Sequence, residues 1–305
     1  MYSLIKRLFF NDAKIKIFSI IRMADDKVAE RVFFVSQGNS VDVTATHSMI
    51  CLDPFCIAVW LSCGHPALFD LNHANIEFRK GKQVNAQLKV SLIEKIIVAG
   101  CEMLLYKIEK VRNCQSNFLR RFVLFSYLLR NKTSSYWDRR VISALYSYPR
   151  KVIIVSYSDE EHHNIFPMDI QGFAEEAGLY VLGLRTTNHT LDRILTTKKV
   201  VVCDTDSVDV NVVYTLGKHA SAAPPKIEDL PFKVTNSEVF KFPIPDFTGS
   251  YKEIEIIYNR KMGYHMLMIG KVLNSKVMKQ NTASLYHIGF LESFINNYCS
   301  IDGQY

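Results

Sequence analysis

The chain lacks most of the short signatures that announce a function. It has no Gly-x-Gly-x-x-Gly run, no Gly-x-x-x-x-Gly-Lys-Ser/Thr loop, no His-Glu-x-x-His and no Gly-x-Ser-x-Gly. Rossmann dinucleotide binding, P-loop, zincin and α/β-hydrolase chemistry therefore lose their usual support. It also lacks a Cys-x-x-Cys pair: its seven cysteines, Cys51, Cys56, Cys63, Cys101, Cys114, Cys203 and Cys299, are odd in number and lie mostly in apolar runs. That usage fits reduced, buried thiols in a cytoplasmic protein rather than a zinc site or a disulfide framework. Long hydrophobic runs are missing too. The best candidate, Met49 to Cys63, is broken by Asp53 and Pro54, short of the roughly 20 apolar residues that span a bilayer. No dense basic block with interleaved aromatics occurs, so nucleic acid is not an expected partner.

What is present describes a globular chain: 305 residues, 48% hydrophobic, 22% charged, with a mean hydropathy of +0.02. That length can bury one large core or two ordinary ones. The formal charge of +7 permits affinity for anions without choosing among them. In the first 22 residues, Lys6, Arg7, Lys14, Lys16 and Arg22 interrupt any signal-peptide core. A membrane-surface helix is one reading of this segment; a terminal helix docking its apolar side on the protein is the one adopted.

From Arg31 to Leu61 the pattern is that of a β-meander, with a turn at Gln37 Gly38 Asn39 and a corner at Asp53 Pro54. Between Gln83 and Tyr148, Leu88, Leu92, Ile96 and Ala99 fall at helical spacing. A second helix is expected after Ser116, with Phe118, Phe122, Phe125 and Leu129 as a core stripe. Residues 222–245 carry most of the prolines and read as a long extended loop. Around it, short strands are expected near Val200–Val202, Tyr251–Tyr258, His265–Val272 and Leu285–Phe290, as in a barrel.

The central stretch, Lys151 to Leu195, reads as three strands delivering two polar loops. The second loop holds Arg185, Thr186, Thr187 and Thr190, donors suited to a phosphate, with a helix starting at Thr190. Taken alone, a solvated loop-and-cap cluster is the simpler account of these residues, and a surface turn is the simpler account of Lys218 and His219. The Arg31–Leu61 region echoes the central stretch: Val32–Ser36 parallels Val152–Ser156, the segment from Asn39 parallels that from Asn164, and Ile57–Leu61 parallels Leu179–Leu184. The echo points to a duplicated or mimicked strand-turn-strand unit.

The segments KVIIVSY, NIFPMDIQGF, LYVLGLRTTNHTLDRIL and KKVVVCD, with the later GYHMLMIGKV and LYHIG, resemble the flavin reductase-like family of FMN-binding split β-barrels over residues 148–292. The resemblance implies a mostly β, α+β chain. Residues 1–28 would be a basic amphipathic segment, 29–140 a β-meander with a helical extension, and 141–305 the split barrel. It further implies a homodimer that binds FMN, with NADH or NADPH as co-substrate and a small-molecule electron acceptor; a non-catalytic FMN carrier is the alternative. By the same resemblance Asn164, Ile165, Phe166, Pro167, Met168 and Asp169 would line the isoalloxazine. Arg185, Thr186, Thr187 and Thr190 would hold the phosphate, Lys218 and His219 would approach it, and His265 would face the flavin. Asp169 departs from the family, where Ser or Thr is common, and a free carboxylate there would oppose a reduced, anionic flavin.

Overall fold

The computed structural model describes residues 15–61, 69–114, 117–130, 135–218, 221–280 and 282–301, with backbone alone at 117 and 127–130. In the N-terminal half the strands are β1 (Phe18–Met23), β2 (Glu30–Ser36), β3 (Asn39–Asp42), β4 (His47–Leu52), β5 (Phe55–Trp60), β6 (His73–Lys80), β7 (Gln83–Val98) and β8 (Cys101–Asn113). In the C-terminal half they are β9 (Arg150–Lys151), β10 (Ile153–Ser158), β11 (His163–Met168), β12 (Gln171–Ala174), β13 (Leu179–Arg185), β14 (Lys199–Thr205), β15 (Val234–Asn236), β16 (Pro243–Pro245), β17 (Thr248–Met262), β18 (His265–Val277) and β19 (Ser284–Gly289).

Two seven-stranded antiparallel sheets dominate. Their orders are β3-β2-β6-β7-β8-β5-β4 and β11-β10-β14-β17-β18-β13-β12. Setting β2 to β5 against β10 to β13, β6 against β14, and β7–β8 against β17–β18 turns one order into the other. The echo seen between Arg31–Leu61 and the central stretch is thus part of a match that runs through the whole sheet. The expected mostly β, α+β class holds, but among the described residues no sheet closes into a barrel.

The hairpins follow from local chemistry. Gln37–Gly38 and Ala99–Gly100 all have positive φ, the conformation a two-residue hairpin turn requires. The helical reading of Gln83–Ala99 is overturned: Gln83–Val98 is one long strand paired with β8. Leu88, Leu92 and Ile96 are four apart, and an even spacing satisfies a strand as well as a helix. Ala86, Leu88 and Val90 are all fully buried while Ile93 and Ile97 are exposed, so the period is two. The helix Asn117–Arg130 is present, with Ser116 outside the described residues. Its aromatic stripe is core only in part: Phe122 packs against the cluster of Val123, Phe290 and Leu291, but Phe118 and Phe125 are exposed, and Val123, Leu124 and Arg120 are buried instead. Arg120 donates to Ser143 at 2.6 Å and pairs with Glu292, which makes burying the charge tolerable.

The N-terminal segment is also corrected where it is described. Residues 18–23 form β1, hydrogen-bonded to β19, rather than a helix; residues 1–14 lie outside the described part. Val210–Leu216 is a helix capped by the Asp209 carboxylate, which accepts from the Asn211 backbone N–H at 2.8 Å. Residues 222–245 are largely irregular, as expected, apart from the β15–β16 pair and one short helical turn. Among the described residues no helix is long and apolar enough to cross a membrane.

Of the five apolar clusters among the described residues, the three largest hold the two sheets. One lies within each half, and the third is shared across the seam between them: Ile50, Cys56, Ala58, Met103 and Leu105 from the N-terminal sheet meet Leu179, Val181, Leu267 and Ile269 from the C-terminal one. Each large side chain buried there contributes about 1.5 to 3 kcal/mol. The sheets approach through backbone. A Cβ on Gly172 would sit 2.8 Å from the Ser48 Cβ, and one on Gly183 would sit 2.4 Å from the Ile50 carbonyl oxygen. Only glycine permits such approach.

Candidate functional site

The expected phosphate loop is largely satisfied by its own neighbours. Thr190 is fully buried; its hydroxyl accepts from the Asn164 side-chain amide at 2.8 Å and lies 3.1 Å from His162 Nε2. Thr186 donates its backbone N–H to the Tyr264 carbonyl at 2.9 Å and its hydroxyl to the same oxygen at 3.3 Å. The helix Thr190–Thr197 does begin where expected, but its first turn carries Asp192, and the Thr190 and Leu191 amides donate to Asn188. An acidic residue at a helix N-terminus occupies the favourable end of the dipole that an anion would use. Arg185, Thr187 and Lys218 are exposed, and His219 lies outside the described residues. Ile165 and Phe166 are core side chains, with Met168 packed against that core.

His265 pairs with Arg185 in the β13–β18 register. It is buried, with Nδ1 3.6 Å from Cys51 Sγ and no partner for Nε2 among the described residues. Burial, with the Arg185 charge adding to it, pushes its pKa down to about 4, so the ring is neutral near pH 7.

Asp169 stands apart from these groups. It lines a cavity of roughly 1540 Å³ that runs along the seam. The N-terminal half supplies Arg31, the 41–47 segment, Trp60, Leu61 and the turn residues Gly100 and Cys101 to this cavity; the C-terminal half supplies Tyr148, Arg150, Lys151, the 171–177 segment, Tyr180 and Lys252. Asp169 Oδ2 accepts from the Tyr146 hydroxyl at 2.6 Å and lies 2.7 Å from His287 Nδ1. His287 Nε2 is in turn hydrogen-bonded to the Tyr214 hydroxyl, and Phe18 packs over its ring at 4.3 Å. Burial pushes the Asp169 pKa up, but the charge and hydrogen bond of His287, the Tyr146 hydroxyl and Arg150 together outweigh it and leave it at about 2. The carboxylate that departs from the family pattern is therefore compensated by its neighbours.

Sequence reasoning passed over Arg150. It is buried and lines the cavity. Its Nε donates to the Leu145 carbonyl at 3.1 Å, while Nη2 has no partner among the described residues. No motif marks it; its situation exists only because the N-terminal half folds across it. His47, from that half, is likewise buried in the cavity wall, and burial together with the nearby Arg150 charge pushes its pKa down to about 4.

No family model and no curated protein matches this chain. Solved structures do. An FMN-binding protein from Thermus thermophilus with bound p-hydroxybenzaldehyde is 17% identical over 47% of this chain and 83% of that one, with a TM-score of 0.41. Nitrilotriacetate monooxygenase component B from Mycobacterium thermoresistibile is 16% identical over 48% and 79%, with a TM-score of 0.42. An NADH:FAD oxidoreductase from Streptomyces globisporus is 11% identical over 47% and 83%, also at 0.42. The chain is thus similar, over somewhat less than half its length, to flavin reductases and FMN-binding proteins.

Proposed function

We propose that the chain is a flavin-binding oxidoreductase that takes FMN into the seam cavity and uses NADH or NADPH as reductant. Arg150 carries this reading. A buried guanidinium without a full set of partners is costly, and a phosphate would supply the charged hydrogen bond that its Nη2 lacks. The cavity volume of roughly 1540 Å³ exceeds the few hundred to about 1,000 Å³ of common small-molecule sites, so a flavin nucleotide fits by size. Trp60, Tyr148, Phe173 and Tyr180 line it, and aromatic faces suit a flat ring system.

The bound flavin would supply the redox chemistry, accepting hydride from the nicotinamide. The protein's own residues bind and arrange. Arg150 would meet the phosphate, the aromatic walls exclude water, and the Asp169–His287 contact keeps that carboxylate from standing as a bare charge in the wall. Asn164 to Met168 act behind the wall, as the strand that leads to Asp169. Arg185, Thr187 and Lys218, the exposed donors of the expected cradle, form the competing phosphate position.

Two measurements test the reading. Titrating the purified protein with FMN should quench the flavin fluorescence at saturation; absence of any uptake removes the flavin function. With FMN bound, NADH or NADPH should be oxidised above the free-flavin background. Binding without oxidation would leave the carrier as the correct function.

A further inference from the structure

We propose that the seam contains one ligand site per chain, open at the 98–101 turn and sealed at its structural equivalent, the 262–265 turn. The ligand named here rests on the flavin reading; the geometry does not. The two turns occupy matching places, joining β7 to β8 and β17 to β18. Each faces the other half's β4–β5 or β12–β13 connection, and there the two ends part.

At the open end, a Cβ placed on Gly100 would meet nothing within 4 Å. Gly100, Cys101 and the opposing Glu175 and Ala177 all line the cavity. At the other end, a Cβ on Gly263 would lie 1.5 Å from the Asp53 carbonyl oxygen and 3.2 Å from Pro54. Beside it the Cys51 thiol donates to the Met262 carbonyl at 2.9 Å. Main chain thus rests on main chain at the sealed end, and no change of rotamer can clear it.

Charge follows the same asymmetry. Aligning Val32 with Val152 sets Glu30 against Arg150. Glu30 accepts from the Tyr298 hydroxyl at 3.0 and 2.8 Å, whereas Arg150 keeps a nitrogen without a partner among the described residues. Arg185 and Thr186 adjoin the sealed end through His265 and Tyr264, which accounts for their absence from the cavity lining. Both walls of the open site belong to one chain, so a second copy is not needed to complete it.

Thiol labelling of the native full-length protein, mapped by peptide mass, reads the two ends without any ligand. Cys101 should react at least about tenfold faster than Cys51, a ratio that local opening free energies readily impose. Saturating FMN should slow Cys101, and light scattering with absorbance should give one FMN per 35.0 kDa chain. Equal reactivity of Cys51 and Cys101, two FMN per chain, or one FMN for every two chains would overturn the proposal. If the cysteine pattern holds and FMN neither binds nor protects, the one-ended seam stands and the flavin reading falls.

Discussion

In the N-terminal half, β6 turns directly into β7 through the tight hairpin at Gly81. At the matching point the C-terminal half inserts residues 206–247, with the Val210–Leu216 helix and the β15–β16 pair. That insertion brings Tyr214 to His287, and through it to Asp169. The N-terminal half has no such elaboration: counting from Asn39 and Asn164, the place of Asp169 is taken by Thr44. One strand order therefore serves two purposes. The plainer half closes the seam and adds His47 to the cavity wall; the elaborated half supplies Arg150 and the Asp169–His287 pair. Equivalent topology does not imply equivalent sites, because a few side chains and one turn decide which end of the seam stays open.

The comparison can be broken most sharply at its two turn glycines. Gly263→Ala should destabilise by roughly 3 to 5 kcal/mol, combining left-handed strain with the collision against Asp53. Gly100→Ala, also at positive φ but facing open space, should cost only about 1 to 2 kcal/mol. Urea midpoints that fall together would remove the distinction between the ends.

Next in size, Arg150→Met should weaken FMN binding by about 1.5 to 3 kcal/mol, the worth of a charged hydrogen bond. The readout is fluorescence titration, and an unchanged dissociation constant would return the phosphate to the Arg185 side. Asp169 tests the asymmetry of charge. Its folded pKa, about 2, lies below the ordinary aspartate value of about 3.9, so the group stabilises the protein above pH 4 and loses that contribution as pH falls toward 2. Asp169→Asn should remove about 2 kcal/mol of pH-dependent stability across that window. The Gibbs energy of the variant should then change less between pH 4 and 2 than that of the parent. Smallest of all, Arg185→Ala should shift FMN affinity by less than about 0.5 kcal/mol, as surface substitutions usually do; a loss as large as that for Arg150 would place the ligand at the expected cradle after all.

Much of the fold was legible because strands and their turns write themselves locally. Gln37–Gly38, the β-branched run Val152–Val155 and the Thr190 helix start all carry their own signals. The β7–β8 hairpin did not, since an even spacing of leucines fits two periods, and Ile93 and Ile97 place apolar side chains on the outer face. The site was less legible than the fold. Thr190 and Arg185 have the right donors, yet hydrogen bonds to Asn164 and position at a strand end are three-dimensional facts. Arg150 follows Pro149 in a stretch with no motif, and only the seam gives it meaning. Asp169 was noticed as a departure, and the His287 that compensates it lies 118 residues away in sequence.

The pairing of β1 with β19 has a consequence in time. Phe18 meets Gly289 and Met23 meets Ser284, so these hydrogen bonds join nearly opposite ends of the described chain. During synthesis β1 must wait for this partner until β19 has left the ribosome. Contacts of such sequence separation form late and slowly. The N-terminal sheet can therefore assemble early, but the tie between β1 and β19 forms only after Gly289 has been made.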